Sequence, residues 1–168
     1  MVVVPEVEPV VSAFRARYAA GSVAHRMPAH ITLLIPYVPA ARLDGAAIES
    51  AREHFSSVAA FDAELVAVGR FDEHVWLAPS PHDRFVELIR ATRERFPESS
   101  RGTALRDPVP HLTVGKATAA VPIEAVVRAA EAELSPRLPL RFRAASATLF
   151  VETPGGRWEQ VAVLPFGL

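Results

Sequence analysis

The chain has 168 residues, of which 50% are hydrophobic and 22% charged, and its formal net charge is -1. This is enough apolar material to close one core, burying roughly 70% of the unfolded surface at this size, so a disordered chain is excluded. Near-neutrality removes the electrostatic basis for gripping long nucleic acid, and the absence of cysteine removes disulfides, thiolate catalysis and cysteine metal sites.

The opening Met1-Val2-Val3-Val4-Pro5-Glu6 lacks the basic n-region of a signal peptide. No later stretch approaches the roughly 20 apolar residues of a spanning helix. A soluble, cytoplasmic protein without membrane contact is therefore expected. Val2 to Val4 reads as a short β-branched strand closed by Pro5. Pro9 suits a first helical turn, Val10, Val11, Phe14 and Tyr18 share one face, and Gly21 is expected to end that helix. A loop over 22–29 carries His25 and Arg26 to His30-Ile31-Thr32-Leu33. The polar–apolar alternation there is that of a half-buried strand, and Pro36 and Pro39 stop it. Leu43 to Val58 reads as a helix with Ile48, Ala51 and Phe55 inward. Phe61 to Phe71 and His74 to Ala78 read as strands around an Asp72-Glu73 turn, the second ended by Pro79. Phe85, Leu88, Ile89 and Phe96 mark an amphipathic helix beginning near His82. A polar loop is expected over 97–109. His111-Leu112-Thr113-Val114 then repeats the first alternation, and a helix is expected from Pro122 to Leu134. The last element is a hairpin, Leu140 to Val151 and Trp158 to Leu164, around Pro154-Gly155-Gly156.

Laid out in this order, the chain repeats. The motif histidines stand 81 positions apart (111 - 30), and Phe61 and Phe142 have the same spacing (142 - 61). Each half runs motif strand, helix, strand, turn, strand, and each is led by a strand closed with proline and then a helix. The expectation is one domain, 1–168, of two pseudo-symmetric lobes. Two copies make a duplicated α+β unit rather than a solenoid. A twofold relation would set the two motif strands opposite each other at one groove.

In each motif, alternation puts His and Thr on one face. Two imidazoles can take one proton and give another near neutral pH, and breaking a phosphodiester with water requires both acts. Threonine hydroxyls beside them can donate to the non-bridging oxygens, where charge builds. The clustered carboxylates of a two-metal site are absent. His25 and His30 have no third ligand at suitable spacing, so neither metal nor other cofactor is expected. Each residue also has a plainer reading. His30 and His111 can be structural, and Thr32 and Thr113 simple β-formers. Tyr37, Trp76 and Phe71 are candidates to stack on a base, or to pack. Lys116 is a candidate phosphate contact or a solvated strand end, and Arg70 allows the same two readings. Arg90, Arg93 and Arg95 form a solvated helix face or a wider RNA contact. His54, His74 and His82 read as surface residues.

Met27-Pro28-Ala29-His30-Ile31-Thr32-Leu33-Leu34-Ile35-Pro36-Tyr37 and Pro110-His111-Leu112-Thr113-Val114 resemble the two signatures of the 2H phosphoesterase superfamily, in particular its 2'-5' RNA ligase and RNA 2',3'-cyclic phosphodiesterase branch. The resemblance covers essentially the whole chain. It implies an α+β bilobal fold, with two antiparallel sheets lining a central groove and helices outside. It implies metal-independent hydrolysis of a 2',3'-cyclic phosphate, on an RNA end or a nucleotide, to a 2'-phosphate. His30 and His111 would be the acid/base pair and Thr32 and Thr113 the phosphate ligands. The lean is that His111 activates water and His30 protonates the leaving 3' oxygen, and chemical symmetry leaves the reverse open. Gly115-Lys116 stands where ligase-like members often carry an arginine. Lysine keeps the charge but loses the two-pronged grip, which weighs against RNA joining more than against hydrolysis. Two alternatives stay open. One is a superfamily enzyme that joins or cleaves 2'-5' linkages or opens a cyclic phosphate derived from ADP-ribose. The other is a non-catalytic module binding a nucleotide or RNA end. No protein partner is expected, and a monomer is the default for so small and neutral a domain.

Overall fold

A computed structural model describes residues 1–97 and 107–167. Most of the expected 97–109 loop, residues 98–106, therefore lies outside the described residues. The α+β expectation holds. The strands are β1 (Val2–Val3), β2 (His30–Ile31), β3 (Phe61–Arg70), β4 (His74–Ser80), β5 (Leu112–Lys116), β6 (Leu140–Ala144), β7 (Ser146–Glu152) and β8 (Trp158–Pro165). The α-helices are α1 (Glu8–Tyr18), α2 (Ala20–Ala24), α3 (Gly45–Ser56), α4 (His82–Arg95) and α5 (Ile123–Glu133).

Six strands form one sheet in the order β1-β2-β5-β4-β3-β6, and β7 and β8 form a second. Every strand pairing is antiparallel. The second sheet is joined to the first at both edges. Thr148 N–H donates to Met1 O at 2.7 Å beside β1, and Gly167 N–H donates to Val58 O at 2.7 Å just before β3. The strands thus form a nearly closed wall.

Register explains how the core and the site share the main sheet. One row across it reads Val2, Ile31, Leu112, Leu77, Val68. The first four of these side chains are 1% exposed or less. They turn to the helical layer where α1 supplies Val11 and Phe14 and α5 supplies Val126 and Ala130. Side chains one position along point to the opposite face. That row contains Val3 opposite His30, and Thr113 opposite Trp76 opposite Gly69. Burying the apolar row therefore presents the polar one. Phe96, just past α4, is met by the rings of Tyr37 and of His54 on α3. The Asp44 side chain caps α3 by accepting from Ala47 N–H at 2.9 Å.

Four local expectations change. Gly21 does not end the first helix: α1 stops at Tyr18, and Gly21 lies inside the short α2. Pro79 does not end β4. It is buried within the strand opposite Leu65, next to a β3 bulge between Leu65 and Ala67 that accommodates the missing N–H. The stretch 140–151 is two strands. Chain direction breaks at Ala145, so β6 pairs with β3 in the main sheet while β7 pairs with β8. The motif strands lie side by side in the main sheet, Ile31 paired with Leu112, rather than facing each other from opposite sheets.

Candidate active site

Antiparallel pairing of Ile31 with Leu112 has a direct consequence. One step either way, the register runs His30 toward Thr113, and Thr32 toward His111 just beyond the strand ends. Each imidazole thus faces the hydroxyl residue of the other motif, and the four side chains form a crossed set on one face. A cavity of about 210 Å³ is lined by both Thr32 and His111, together with Phe71, Ile89 and Arg93.

The two rings are held in the same way. His30 Nδ1 lies 2.8 Å from Pro28 O, and His111 Nδ1 lies 2.7 Å from Val109 O. A carbonyl only accepts, so Nδ1 carries the hydrogen in both rings, and each Nε2 is left for proton exchange. In each motif the acceptor is two residues upstream: the carbonyl of Pro28 in the first, and in the second that of Val109, between Pro108 and Pro110.

The electrostatic settings differ. Burial pushes the His30 imidazole down to about 4, with the Met1 amino group, Arg15 and His111 acting in the same direction and the Pro28 carbonyl against it. His30 is therefore neutral at pH 7 in the free protein. His111 instead meets aromatic edges: Phe71 stands perpendicular to it with ring centroids 4.9 Å apart, and Trp76 lies 6.1 Å away. Trp76 lies flat over Gly69, where an added Cβ would come within 2.4 Å of the indole. Phe71 and Trp76 also pack on each other at 5.2 Å.

The other expected residues fall on both sides of the division between site and scaffold. Tyr37 is fixed as scaffold at its hydroxyl, which donates to Ala47 O at 2.7 Å, and at its ring, which meets Phe96; another face lines a cavity. Lys116 reaches the site face through a bulge. Trp76 pairs with Thr113 and Val75 with Gly115, so Val114 is the extra residue and the alternation shifts by one. Val114 and Gly115 are both buried, and Lys116 comes out opposite His74 with Glu73 at 3.5 Å. Arg70 turns away to Glu124 on α5 at 3.4 Å. His25 is exposed, and among the described residues no three His, Asp or Glu side chains gather as metal ligands do.

Some contributors had no sequence signal. A cavity of about 370 Å³ adjoins His30 and Thr32 and is lined by Met27, Phe150, Glu152 and Trp158 as well as Tyr37. Phe150 and Trp158 face each other's strands in the second sheet, far from either motif in sequence. Arg93, one of three arginines read as a solvated helix face or a wider RNA contact, lines the His111 cavity; Arg90 binds Asp107 and Arg95 reaches Ser50. Two histidines read as surface residues are half-buried. His54 lies 3.2 Å from Thr92 Oγ1, and burial lowers its pKa. His74 shares the site face, and burial, followed by Lys116, lowers its pKa. His82, beside Asp83, is exposed as expected.

The sequence profile of the 2'-5' RNA ligase superfamily matches residues 3–156. The chain belongs to that superfamily. The likeness to 2H phosphoesterases first read from the two His-x-Thr phrases is thereby borne out. No curated protein matches the chain. Among solved structures, the fold is similar to E. coli LigT complexed with NADP+, with a TM-score of 0.61 at 16% identity, covering 99% of this chain and 94% of that one. It is equally similar to a structure described as a phosphoesterase, with a TM-score of 0.61 at 16% identity over 99% and 95% of the two chains. LigT complexed with 3'-AMP gives a TM-score of 0.59 at 16% identity over 98% and 94%. Like other superfamily members, this chain is built on an α+β frame of antiparallel sheets. Among its described residues no helix is long and apolar enough to cross a membrane.

Proposed function

We infer that this superfamily member hydrolyses a 2',3'-cyclic phosphate, on a nucleotide or a short RNA end, to a 2'-phosphate. The observation that carries the reading is the set of two Nδ1-anchored imidazoles and two threonines that flank the single Ile31–Leu112 pairing of β2 and β5. In the reaction one Nε2 takes a proton from water as its oxygen attacks phosphorus. The bond from phosphorus to the 3' oxygen breaks, and the second imidazole gives that oxygen a proton. Thr32 and Thr113 donate to the non-bridging oxygens as charge develops. No step asks for a metal.

Burial of His30 favours the reverse of the assignment first leaned to. A ring that is neutral in the free protein is ready to accept a proton, so His30 takes the water proton and His111 supplies the donor. Arg93 and Lys116 place positive charge near the His111 end of the site. The cavity beside His30, with Phe150, Trp158 and Tyr37 on its walls, has the size and apolar character to take a nucleoside. LigT, similar in fold, has been crystallised with NADP+ and with 3'-AMP, which supports a nucleotide-sized substrate.

The test mixes the protein with 2',3'-cyclic nucleotides and a short RNA ending in a 2',3'-cyclic phosphate, with chelator present. Chromatography separates the 2'- from the 3'-phosphate. Formation of the 2'-phosphate, abolished in both His30→Ala and His111→Ala, is expected. Tight binding of a cyclic nucleotide without product would replace this reading with a binding module, and turnover of 2'-5' linked oligomers alone would replace it with a 2'-5' phosphodiesterase.

A further inference from the structure

Helix α1 carries Glu8 at its start and Arg15 seven residues later, two turns along the same face. Arg15 is 3% exposed, unusual for a guanidinium. Its Nη1 meets both Glu8 carboxylate oxygens, at 2.8 and 3.1 Å, and its Nη2 donates to Met27 O at 2.6 Å. The same carboxylate accepts Ala29 N–H at 2.9 Å. The ion pair therefore grips the residues on either side of Pro28. Pro28 O is the acceptor that orients the His30 ring.

We propose that Glu8 and Arg15 are positioning residues for His30, acting through the Met27-Pro28-Ala29 segment. A buried ion pair adds little net stability over apolar side chains of similar volume. What this one adds is direction: both ends of a tripeptide are tied to one ion pair in which a single guanidinium nitrogen meets both carboxylate oxygens, and the carbonyl between them cannot rotate without breaking a charge-assisted hydrogen bond. Arg15 has a second effect. Its charge stands near the imidazole and disfavours a proton there, as do the Met1 amino group just before β1 and His111 just before β5. The device thus aims the ring and adds to the burial that is the main cause of its lowered proton affinity. The second motif has a different arrangement. Val109 O lies between buried Pro108 and Pro110, and the nearby Arg90–Asp107 pair is exposed.

This rests on the reading of His30 as a catalytic group, and the experiment separates the two. Arg15→Met, Arg15→Lys and Glu8→Gln are assayed on 2',3'-cyclic nucleotides beside His30→Ala and His111→Ala, and the His30 imidazole is titrated by NMR in each folded variant. Arg15→Met is expected to lower kcat roughly 10–100-fold with KM within about threefold, and to raise the titration midpoint of His30. Arg15→Lys should restore that midpoint but only part of kcat. Glu8 is 38% exposed, so Glu8→Gln should keep the fold; it retains an acceptor for Ala29 and is expected to cost about tenfold in kcat. A kcat unchanged in Glu8→Gln, or unchanged in Arg15→Met with only a lower Tm, overturns the positioning role while loss in the histidine variants leaves the parent reading intact. Retained turnover in the histidine variants overturns the parent reading, and the His30 titration still reports whether Arg15 governs that ring.

Discussion

The two motif histidines share a sequence phrase, a strand pairing and a hydrogen-bond pattern, yet their surroundings differ. His30 is held from behind by an ion pair with a buried arginine and is desolvated until its pKa falls to about 4. His111 is held by a carbonyl set between two prolines and is flanked by the rings of Phe71 and Trp76. Beside His30 lies the larger cavity, mostly apolar; beside His111 lies the smaller one, with Arg93 in its wall. A repeated motif fixes which atoms face the groove. Residues outside the repeat fix the state of charge in which each presents itself.

The most severe way to break this comparison is to remove either ring. His30→Ala and His111→Ala should each lower kcat/KM by about 100- to 10,000-fold, but with different pH signatures. If His30 is the acceptor, kcat/KM for the wild type rises with pH through its acidic limb near pH 4, and His30→Ala lacks that limb. A limb that falls as pH rises past 4, lost with His30, would give His30 the donor's role. Next in size are the hydroxyls. Thr32→Val and Thr113→Val should cost about 100-fold in kcat by removing one donor each, and a double variant should show whether the crossed pairs act as one unit.

A third effect is on stability. A histidine whose folded pKa lies below its ordinary 6.5 binds fewer protons folded than unfolded, so stability falls as pH drops from about 6.5 toward 4. His30→Asn should remove that penalty and move the acid unfolding midpoint to lower pH, read by circular dichroism. Gly69→Ala pushes the Trp76 indole off its strand. It should cost about 1–3 kcal/mol of stability, and it should disturb the His111 side while leaving the His30 titration in place. The smallest effect belongs to the exposed pair near the second motif. Arg90→Ala should change stability by less than about 1 kcal/mol and kcat by less than about twofold, in contrast to Arg15→Met on the first side.

What could be read from the chain was local. His30-Ile31-Thr32-Leu33 and His111-Leu112-Thr113-Val114 reveal a strand and its polar face because alternation is a property of neighbours. The family followed from the same residues. The division of 140–151 into β6 and β7 was not readable, because Ala145 is no breaker and the turn in direction is imposed by pairing with different partners. Pro79 misled for the opposite reason: a breaker by type, it is tolerated where β3 bulges. His74, Arg93, Phe150 and Trp158 join the site through sheet register and helix packing, which link residues many positions apart. The clamp of Glu8 and Arg15 has the spacing of two helical turns, but nothing in that spacing says that its far side holds Pro28.

The bulge at Val114 has an effect beyond the strand it bends. Were Val114 instead drawn into the ladder opposite Val75, Lys116 would turn into the layer of α1 and α5, where Phe14, Tyr18 and Val126 pack against Gly115. Deletion of Val114, by contrast, leaves Gly115 opposite Val75 and Lys116 opposite His74, so the lysine keeps the site face. The charge offered at this end of the groove thus depends on Val114 staying outside the ladder, and deleting Val114 should disturb that charge less than replacing Lys116 itself.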